Sequence, residues 1–408
     1  MELLEPVTQP YAWGSHTAIA ELQGRPAPTA EPEAELWMGA HPSAPSGVTR
    51  PDGERTTLDA VIAADPVGEL GQDTAARFGG RLPFLLKVLA AGQALSIQVH
   101  PSRQQAEAGF KADNARGLAR GDKSRNYVDD WPKPEILCAL TPFEALAGMR
   151  APQDAAALVK ELAVGELDPI SAILAGGGPE PLTEALAAIL AWPAERRPAL
   201  VADVVAGCAA VAAGDGPYAA ACAAAVRLNR EHPGDVGVVA SLLLRHSALR
   251  PGEAIFLPAG GLHAYLHGTG VELLANSDNV VRAGLTPKHI DVPELLKLTD
   301  PAVPVPVLEP RPLGDGLSVY DSPAPEFRLY RAELGEAETS LPGTGGPRIV
   351  LCVDGTALLR ASAGEPSGLA VGRGQSCFVA AGDGPVTIMG PATVFIAASG
   401  LDPVPSGW

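Results

Sequence analysis

The amino-acid sequence predicts a mainly β protein that is interrupted by one helical insertion. Up to about residue 150, short runs with strand-like alternation are separated by proline and glycine, as in "LPFLLKVLAAGQALSIQVHP" and "PEILCALTPFEALAGM". From about residue 151 to 235 the chain is rich in alanine, and its apolar residues recur at helical spacing. At "GEAIFLPAGG" the strand-like pattern returns, and it continues to the C-terminus.

Length and charge limit the number of domains and the classes of partner. A chain of 408 residues predicts two or three domains. Its formal charge of −17 argues against nucleic acid or an anionic membrane as a partner, but a small anionic substrate is still compatible with it. Five scattered cysteines without a CxxC pair indicate reduced thiols. With no signal peptide and no apolar run of membrane-spanning length, we expect a cytoplasmic protein.

The first β region contains a polar pair on one strand, in the segment "LSIQVHP" (95–101). Gln98 and His100 lie on the same face, because side chains alternate along a strand. Residues at this spacing are roughly 6.6 Å apart and can converge on one ion. The alternatives are that His100 is only a polar strand end and that Gln98 is a satisfied interior amide.

A third donor is predicted at Glu135, which begins the strand after the proline-broken loop "DDWPKP". The alternative is a surface carboxylate. The helical insertion follows in "APQDAAALVKELAVGELDPISAILAG", "PLTEALAAILAWPAERR" and "YAAACAAAVRLNREHP", and a further helix is predicted in "GDVGVVASLLLRHSAL" (234–249).

The returning β region contains the spacing Gly252, Pro258, Gly260 and His263, which is similar to the second motif of the cupin β-barrels. In those barrels this histidine faces the interior and binds a metal, and His267 stands here where the motif usually has asparagine. Together with Gln98, His100 and Glu135, His263 would complete a set of two imidazoles and two oxygen donors. This set suits zinc, although iron, manganese or cobalt would also be accepted. The remaining histidines are predicted to be structural or on the surface: His16, His41, His232, His246 and His289.

A weak internal repeat relates "GEAIFLPAGGLHAYLHG" (252–268) to "GQSCFVAAGDGPVTIMG" (374–390). The two segments are either ordinary hairpins with turn glycines or two copies of one β-sandwich. In the second case the C-terminal copy has no metal site, because Pro385 occupies the position of His263.

Taken together, these segments resemble the type I mannose-6-phosphate isomerases. The resemblance runs nearly end to end, through "YAWGS" (11–15), "ELWMGAHPSAPS" (35–46), "NYVDDWPKPE" (126–135) and "PGEAIFLPAGGLHAYLHGTGVELLANSDNVVRAGLTPKHID" (251–291). It implies a cupin (jelly-roll) catalytic domain in 1–150 and 236–300 and an α-helical inserted domain in 151–235. It also implies a second, metal-free cupin-like β domain in 301–408.

The resemblance further implies one zinc ion, held by Gln98, His100, Glu135 and His263, and a catalytic role for Arg282 in "NVVRAGLTPK". The implied reaction interconverts mannose 6-phosphate and fructose 6-phosphate through an enediol. We therefore expect a monomeric enzyme whose partner is a small phosphosugar. One departure is Pro132, where the family usually has histidine before Lys-Pro-Glu, so ring opening would be slower or would use another group.

Two residues remain alternatives for the base that moves the proton between C1 and C2, namely Lys133 and Glu272. Arg282 and Lys288 are predicted to bind the phosphate, although Arg282 could instead lie nearer the enediol. Further substrate contacts are predicted at Lys87, Ser96, Tyr265 and Trp13. The competing functions are a metal-dependent cupin of another reaction class, such as a dioxygenase, and a non-catalytic sugar-phosphate-binding module.

Overall fold

The computed structural model describes residues 1–50, 53–176, 180–362 and 368–402 of the chain. Within these ranges the protein consists mostly of β-strands, which form one sheet of eleven strands and one of twelve, together with helices. The prediction of a mainly β protein that also contains helices is therefore confirmed.

Residues up to 150 form strands joined by short helices. The longest of these strands is an almost continuous apolar run, "FLLKVLAA", and it is buried on both faces. The elements are β1 Glu2–Glu5, β2 Val7–Gln9, α1 Ala18–Leu22, β3 Glu35–Gly39, β4 Gly47–Thr49, β5 Arg55–Thr57, α2 Leu58–Ala64, α3 Pro66–Leu70, α4 Gln72–Phe78, β6 Phe84–Ala91, β7 Ile97–Val99, α5 Arg103–Ala115, β8 Glu135–Ala139 and β9 Phe143–Met149.

The next region is helical, and proline stands in the first turn of four of its helices. Its elements are α6 Pro152–Glu161, a 3-10 turn Gly165–Leu167, α7 Asp168–Leu174, α8 Glu180–Leu190, a 3-10 turn Ala194–Arg196, α9 Arg197–Ala212, α10 Ala219–Glu231, α11 Gly237–Ala240 and a 3-10 turn Ser241–Leu243. The helix predicted over 234–249 is wrong in its second half. Residues 244–249 are a strand, because they pair with β9 from Leu249↔Phe143 to Leu244↔Met149.

The rest of the described chain returns to strands. Its elements are β10 Leu244–Leu249, β11 Ala254–Leu257, β12 His263–Ala275, β13 Val281–Gly284, α12 Val292–Leu298, β14 Val307–Leu308, β15 Arg311–Gly314, β16 Leu317–Tyr320, β17 Arg328–Leu334, β18 Thr339–Ser340, β19 Arg348–Ala361, β20 Leu369–Gly372, β21 Ser376–Val379, a 3-10 turn Ala381–Asp383, β22 Val386–Met389 and β23 Ala392–Ala398. No helix in the described ranges combines the length and the apolar character needed to cross a bilayer.

Strand pairing crosses the predicted domain limits twice. The N-terminal strand β1 joins the C-terminal sheet through β21, where Leu3 lies opposite Cys377. In return, β14 adds to the other sheet beside β11. The division into 1–150 with 236–300, 151–235 and 301–408 stays a prediction. The twelve-stranded sheet contains β1, β4 and β5 from the first range, and the eleven-stranded sheet contains β14 from the last.

The two repeated segments are not hairpins, so that alternative is wrong. The strands β11 and β12 are not paired with each other, and both pair with β8. In the same way β21 and β22 both pair with β19. Two of the three matched glycine pairs also share backbone conformation, since φ is +90° at Gly252 and +77° at Gly374, and +122° at Gly268 and +115° at Gly390. In the third pair Gly260 has a positive φ and Gly382 does not.

The long strand β12 belongs to both halves of its sheet because it contains a register shift between Tyr265 and His267. Such a bulge adds one residue and reverses which side chains face inward. His263 and Tyr265 before the shift therefore face the same interior as Glu272 after it.

The helical region covers the outer face of β7 and β13. Four strand residues are buried in the same apolar cluster as residues of the helices, namely Ile97, Val99, Val281 and Ala283. Because side chains alternate along a strand, the intervening Gln98 and Arg282 point to the opposite, inner face. The helical packing thus fixes the direction of two predicted site residues.

We expect Gly268→Ala to lower the free energy of unfolding by about 1–3 kcal/mol. The backbone there has φ of +122°, and an added Cβ would lie 2.7 Å from the Pro142 carbonyl oxygen. Urea denaturation would measure the change. The control is Gly165→Ala, where no atom lies within 4 Å of the added Cβ, and equal midpoints for the two variants would contradict the prediction.

Candidate metal centre and substrate cavity

Three predicted site residues lie in one row across three adjacent strands. In the strand register, Gln98 on β7 is opposite His263 on β12 and also opposite Arg282 on β13. Directly opposite residues on antiparallel strands project to the same face. The sheet therefore places an imidazole, an amide and a guanidinium side by side on its inner surface.

Glu135, the first residue of β8, brings a carboxylate to this row. Its Oε1 lies 3.0 Å from His263 Nε2, and its Oε2 lies 3.4 Å from His100 Nε2. The Gln98 amide nitrogen is 3.3 Å from His263 Nε2. All three ionisable groups are buried, with exposed fractions of 1% for His100 and Glu135 and 0% for His263.

Backbone carbonyls orient both imidazoles. His100 Nδ1 donates to the Asn279 oxygen at 2.7 Å, and His263 Nδ1 donates to the Gly261 oxygen at 2.9 Å. Since a carbonyl only accepts, Nδ1 carries the proton and the lone pair of each Nε2 faces Glu135. Burial, together with the nearby Lys133 ammonium, lowers the pKa of His100 to about 4, which favours the neutral imidazole that a metal ligand requires.

The donor set fits a divalent cation. The ligand atoms of His100, Glu135 and His263 all lie within 4.8 Å of one another, and no other such group of His, Cys, Asp and Glu occurs in the described ranges. Lys133 Nζ is 3.1 Å from Glu135 Oε2, so the Glu135 carboxylate already has one cationic partner at this site. Although burial opposes ionisation, Lys133 and His100 hold the pKa of the Glu135 carboxyl well below its usual range.

A cavity of about 550 Å³ opens beside these donors. All eight predicted catalytic and substrate-binding residues line it, together with two of the four predicted metal ligands. They are Trp13, Lys87, Ser96, Gln98, Lys133, Glu135, Tyr265, Glu272, Arg282 and Lys288. His100 and His263 are buried behind its wall. The structure thus brings the predicted residues together around one space, while their individual roles stay predictions.

A second charged row lies on the other part of the sheet. Lys87 on β6 is opposite both Glu272 on β12 and Trp37 on β3. Its Nζ lies 3.5 Å from Glu272, 3.3 Å from Glu35 and 4.9 Å from the centre of the Trp37 ring. Burial alone would lower the pKa of Lys87, but the surrounding carboxylates raise it, so the ammonium stays charged. Burial raises the pKa of Glu272 to about 7, against the opposing effect of Lys87.

The other end of the cavity contains cations without counter-charges. Neither Arg282 nor Lys288 forms an ion pair with a carboxylate in the described part of the chain, in contrast to Lys87. The pKa of Lys288 is lowered, first by the positive charge of Arg282 and then by burial. Two cations close enough to repel each other, and facing a cavity, form an environment that favours an anion.

Several cavity residues were not predicted. His41 and His232 line the cavity, although both were predicted to be structural or surface residues. Glu35, Trp37 and Asp278 also line it. His41 Nε2 lies 3.3 Å from Asp278, a residue 237 positions away, and periodicity within either segment contains no signal of that contact.

Asn279 connects two segments of the site. It is fully buried, and its amide oxygen accepts from the N–H of Val128 at 2.8 Å. Its amide nitrogen donates to the carbonyls of Asp129 at 2.9 Å and Trp131 at 2.8 Å. Its own carbonyl orients His100. Asn279 therefore holds the loop that leads to Glu135 in place beside the imidazole of His100.

Comparisons with known proteins agree with this geometry. Residues 1–152 match the family model for the catalytic domain of type I phosphomannose isomerase. The chain is 39% identical over 401 residues to mannose-6-phosphate isomerase of Salmonella typhimurium, an alignment that covers 96% of this chain and 97% of that protein. The Escherichia coli protein of the same name is 39% identical over 394 residues, with the same two coverages.

Solved structures give the same relationship. A crystal structure of mannose 6-phosphate isomerase in a zinc-bound holo form is similar to this chain with a TM-score of 0.87 at 37% identity. The superposition covers 98% of this chain and 99% of that one.

We expect Asn279→Ala to weaken zinc binding about 10- to 100-fold, because it removes the bonds that position the Glu135 loop beside His100. Competition with a chromogenic chelator would measure the zinc affinity, and a thermal melt would verify that the variant is folded. The matched control is Asn114→Ala, an exposed asparagine whose side-chain oxygen accepts a bond from Arg125. A folded Asn279 variant with wild-type zinc affinity would refute the positioning role.

Proposed function

Because the chain belongs to the type I phosphomannose isomerase family, we propose that it is an aldose–ketose isomerase that interconverts D-mannose 6-phosphate and D-fructose 6-phosphate. The observation that carries the proposal is the single cavity that joins the Glu135 donor set to the unpaired cations Arg282 and Lys288. A phosphosugar has the matching chemistry, since its phosphate is separated from its reacting carbons by a short carbon chain.

We propose a cupin jelly-roll for the catalytic β domain, with residues 151–235 as a helical insertion. The C-terminal β domain is a second, metal-free copy of this fold. Support comes from the matching arrangement around β8 and β19, each of which pairs with both strands of its repeated segment. The interior cluster of the C-terminal β domain is apolar, and Pro385 occupies the position that corresponds to His263 in the repeat.

One zinc ion is proposed at Gln98, His100, Glu135 and His263. The donor types are those that zinc prefers, and the two imidazoles present their Nε2 atoms to a shared carboxylate. When bound, the ion supplies Lewis-acid stabilisation of the negative charge that develops on the sugar oxygens. The zinc-bound state of the similar crystal structure supports the choice of metal.

The phosphate is proposed to bind at Arg282 and Lys288, with Ser96 on the same part of the cavity wall. A guanidinium can hold two phosphate oxygens at once, and a lysine adds a point charge. Binding energy at the phosphate would hold the reacting carbons in register with the donor set. Trp13, Tyr265 and Lys87 are proposed to contact the sugar between the two ends, since all three line the cavity.

Two side chains remain alternatives for moving the proton between C1 and C2. Lys133 is beside the donor set, 3.1 Å from Glu135. Glu272 is one row away, and burial raises its pKa toward neutrality, which suits a group that must accept and return a proton. Pro132 stands where the family usually has histidine, so ring opening is proposed to be slower or to use another group.

The two competing functions are less well supported. A dioxygenase-type cupin would have no use for the unpaired Arg282 and Lys288 in the same cavity. A purely binding module would have no use for a carboxyl that titrates near neutrality, such as Glu272, beside the donor set. A monomeric state, as expected from the sequence, stays a prediction.

A coupled assay for fructose 6-phosphate with mannose 6-phosphate as substrate tests the proposed function. We expect turnover that is lost with a chelator, is restored by zinc, and is lost together with metal in His263→Ala. His267→Ala is the matched control, because this histidine is exposed on the same strand. Turnover that survives complete metal removal, or a wild type without turnover, would refute the proposal.

We expect Arg282→Ala to reduce kcat/KM roughly a hundredfold or more while metal content stays unchanged. The reason is that its guanidinium faces the cavity without a competing carboxylate. Steady-state kinetics and metal analysis would measure both effects. Arg245→Ala, which removes an exposed arginine from the neighbouring strand β10, should leave them unchanged. Near-normal kinetics in Arg282→Ala would contradict its assignment.

A further inference from the structure

The helical region reaches the cavity through one short segment, which we call the bridging loop (residues 231–237). It runs from the last residue of α10 to the first residue of α11, and it is bonded to two segments that line the cavity. On one side, Glu231 Oε2 accepts the N–H of Ala94 at 2.8 Å. On the other side, Asp235 Oδ2 accepts the N–H of Thr286 at 3.0 Å. Ala94 precedes the strand of Gln98, and Thr286 follows the strand of Arg282.

Backbone packing fixes the bridging loop against the strand of Arg282. A Cβ added to Gly237 would lie 2.5 Å from the Leu285 nitrogen, and one added to Gly284 would lie 2.5 Å from the Gly237 Cα. Only glycine at both positions permits so close an approach. The distance between the bridging loop and Arg282 is therefore set by direct contact of main chains.

His232 stands between the two anchored ends of the loop and lines the cavity, as do Arg282, Lys288 and Ser96. Its Nε2 is buried and has no hydrogen-bond partner among the residues that the structure describes. The acids beside it in the loop are already used, Glu231 by Ala94 and Asp235 by Thr286 and Gly237. A buried imidazole nitrogen without a partner is costly, so a group that enters the cavity is the natural partner.

We propose that His232 donates a hydrogen bond to the phosphate of the substrate, so that the helical region contributes to the phosphate site formed by Arg282 and Lys288. This inference rests on the proposed function for the identity of the phosphosugar. Phosphate is the occupant that the surroundings favour, because the unpaired cations on this part of the wall attract an anion. Its oxygens accept hydrogen bonds, which an imidazole N–H can supply.

The proposed contact is made equally in the ground state and in the transition state, because the phosphate does not react. Removing it should raise KM and leave kcat nearly unchanged. A hydrogen bond to a charged group corresponds to a change of roughly tenfold or more in affinity. A merely structural role for His232 would instead lower the amount of active enzyme, and therefore kcat, without a selective effect on phosphate.

The test compares wild type with His232→Ala, His232→Asn and the control His267→Ala. Isothermal titration with inorganic phosphate, on the metal-free and the zinc-loaded protein, measures binding without requiring turnover. We expect His232→Ala to bind phosphate roughly tenfold more weakly and to show a similar rise in KM for mannose 6-phosphate. His232→Asn, which retains a donor, should recover part of the affinity, and His267→Ala should match wild type.

The outcomes separate this inference from the proposed function. Wild-type phosphate affinity in a folded His232→Ala variant would overturn the role of His232, even if isomerase turnover is present. So would a wild type that binds no phosphate, or a fall in kcat with unchanged KM. A wild type that binds phosphate through His232 but has no turnover would refute the isomerase proposal and leave the phosphate contact established.

Discussion

Burial of the Glu135 carboxylate is the constraint on which the rest of the site depends. A carboxylate removed from water is costly unless charged or polar groups surround it. Here four side chains each place a nitrogen or oxygen atom within 3.4 Å of a Glu135 oxygen, those of Lys133, His100, His263 and Tyr265. These partners come from β12 and from the segments around β7 and β8, so the carboxylate is tolerated only if those segments are neighbours. The sheet order therefore has to be correct before the donor set can exist.

The strands beside the cavity present different side chains on their two faces, apolar ones toward the outer layer and polar ones toward the cavity. On β7 and β13 the outer residues are covered by the helical region, and the inner residues face the cavity. On β12 the register shift at Tyr265 allows one strand to present His263 to one half of the sheet and Glu272 to the other. The helical region thus serves as an outer layer over β7 and β13 of the eleven-stranded sheet and, through the bridging loop, as part of the cavity wall.

One end of the cavity has a charge opposite to that of the whole chain, although carboxylates line other parts of it. The protein carries a formal charge of −17, yet Arg282 and Lys288 face the cavity without carboxylate partners. By contrast, Lys87 is held between Glu35 and Glu272, so its charge is compensated and contributes little to attracting an anion. Recognition of an anionic substrate depends on these nearby groups, because distant surface charges are screened by solvent and salt.

The sequence by itself determined the features that lie within single segments. Strand periodicity placed Gln98 and His100 on one face, and the spacing around His263 identified its strand, because the two-residue repeat decides which way a side chain points. Only the tertiary structure decided that β1 pairs with a strand more than 370 residues away, that 244–249 is a strand, that the Asn279 carbonyl bonds to His100, and that His232 lines the cavity. Each of these depends on contacts between remote segments, and local periodicity has no information about which remote residue will complete a hydrogen bond.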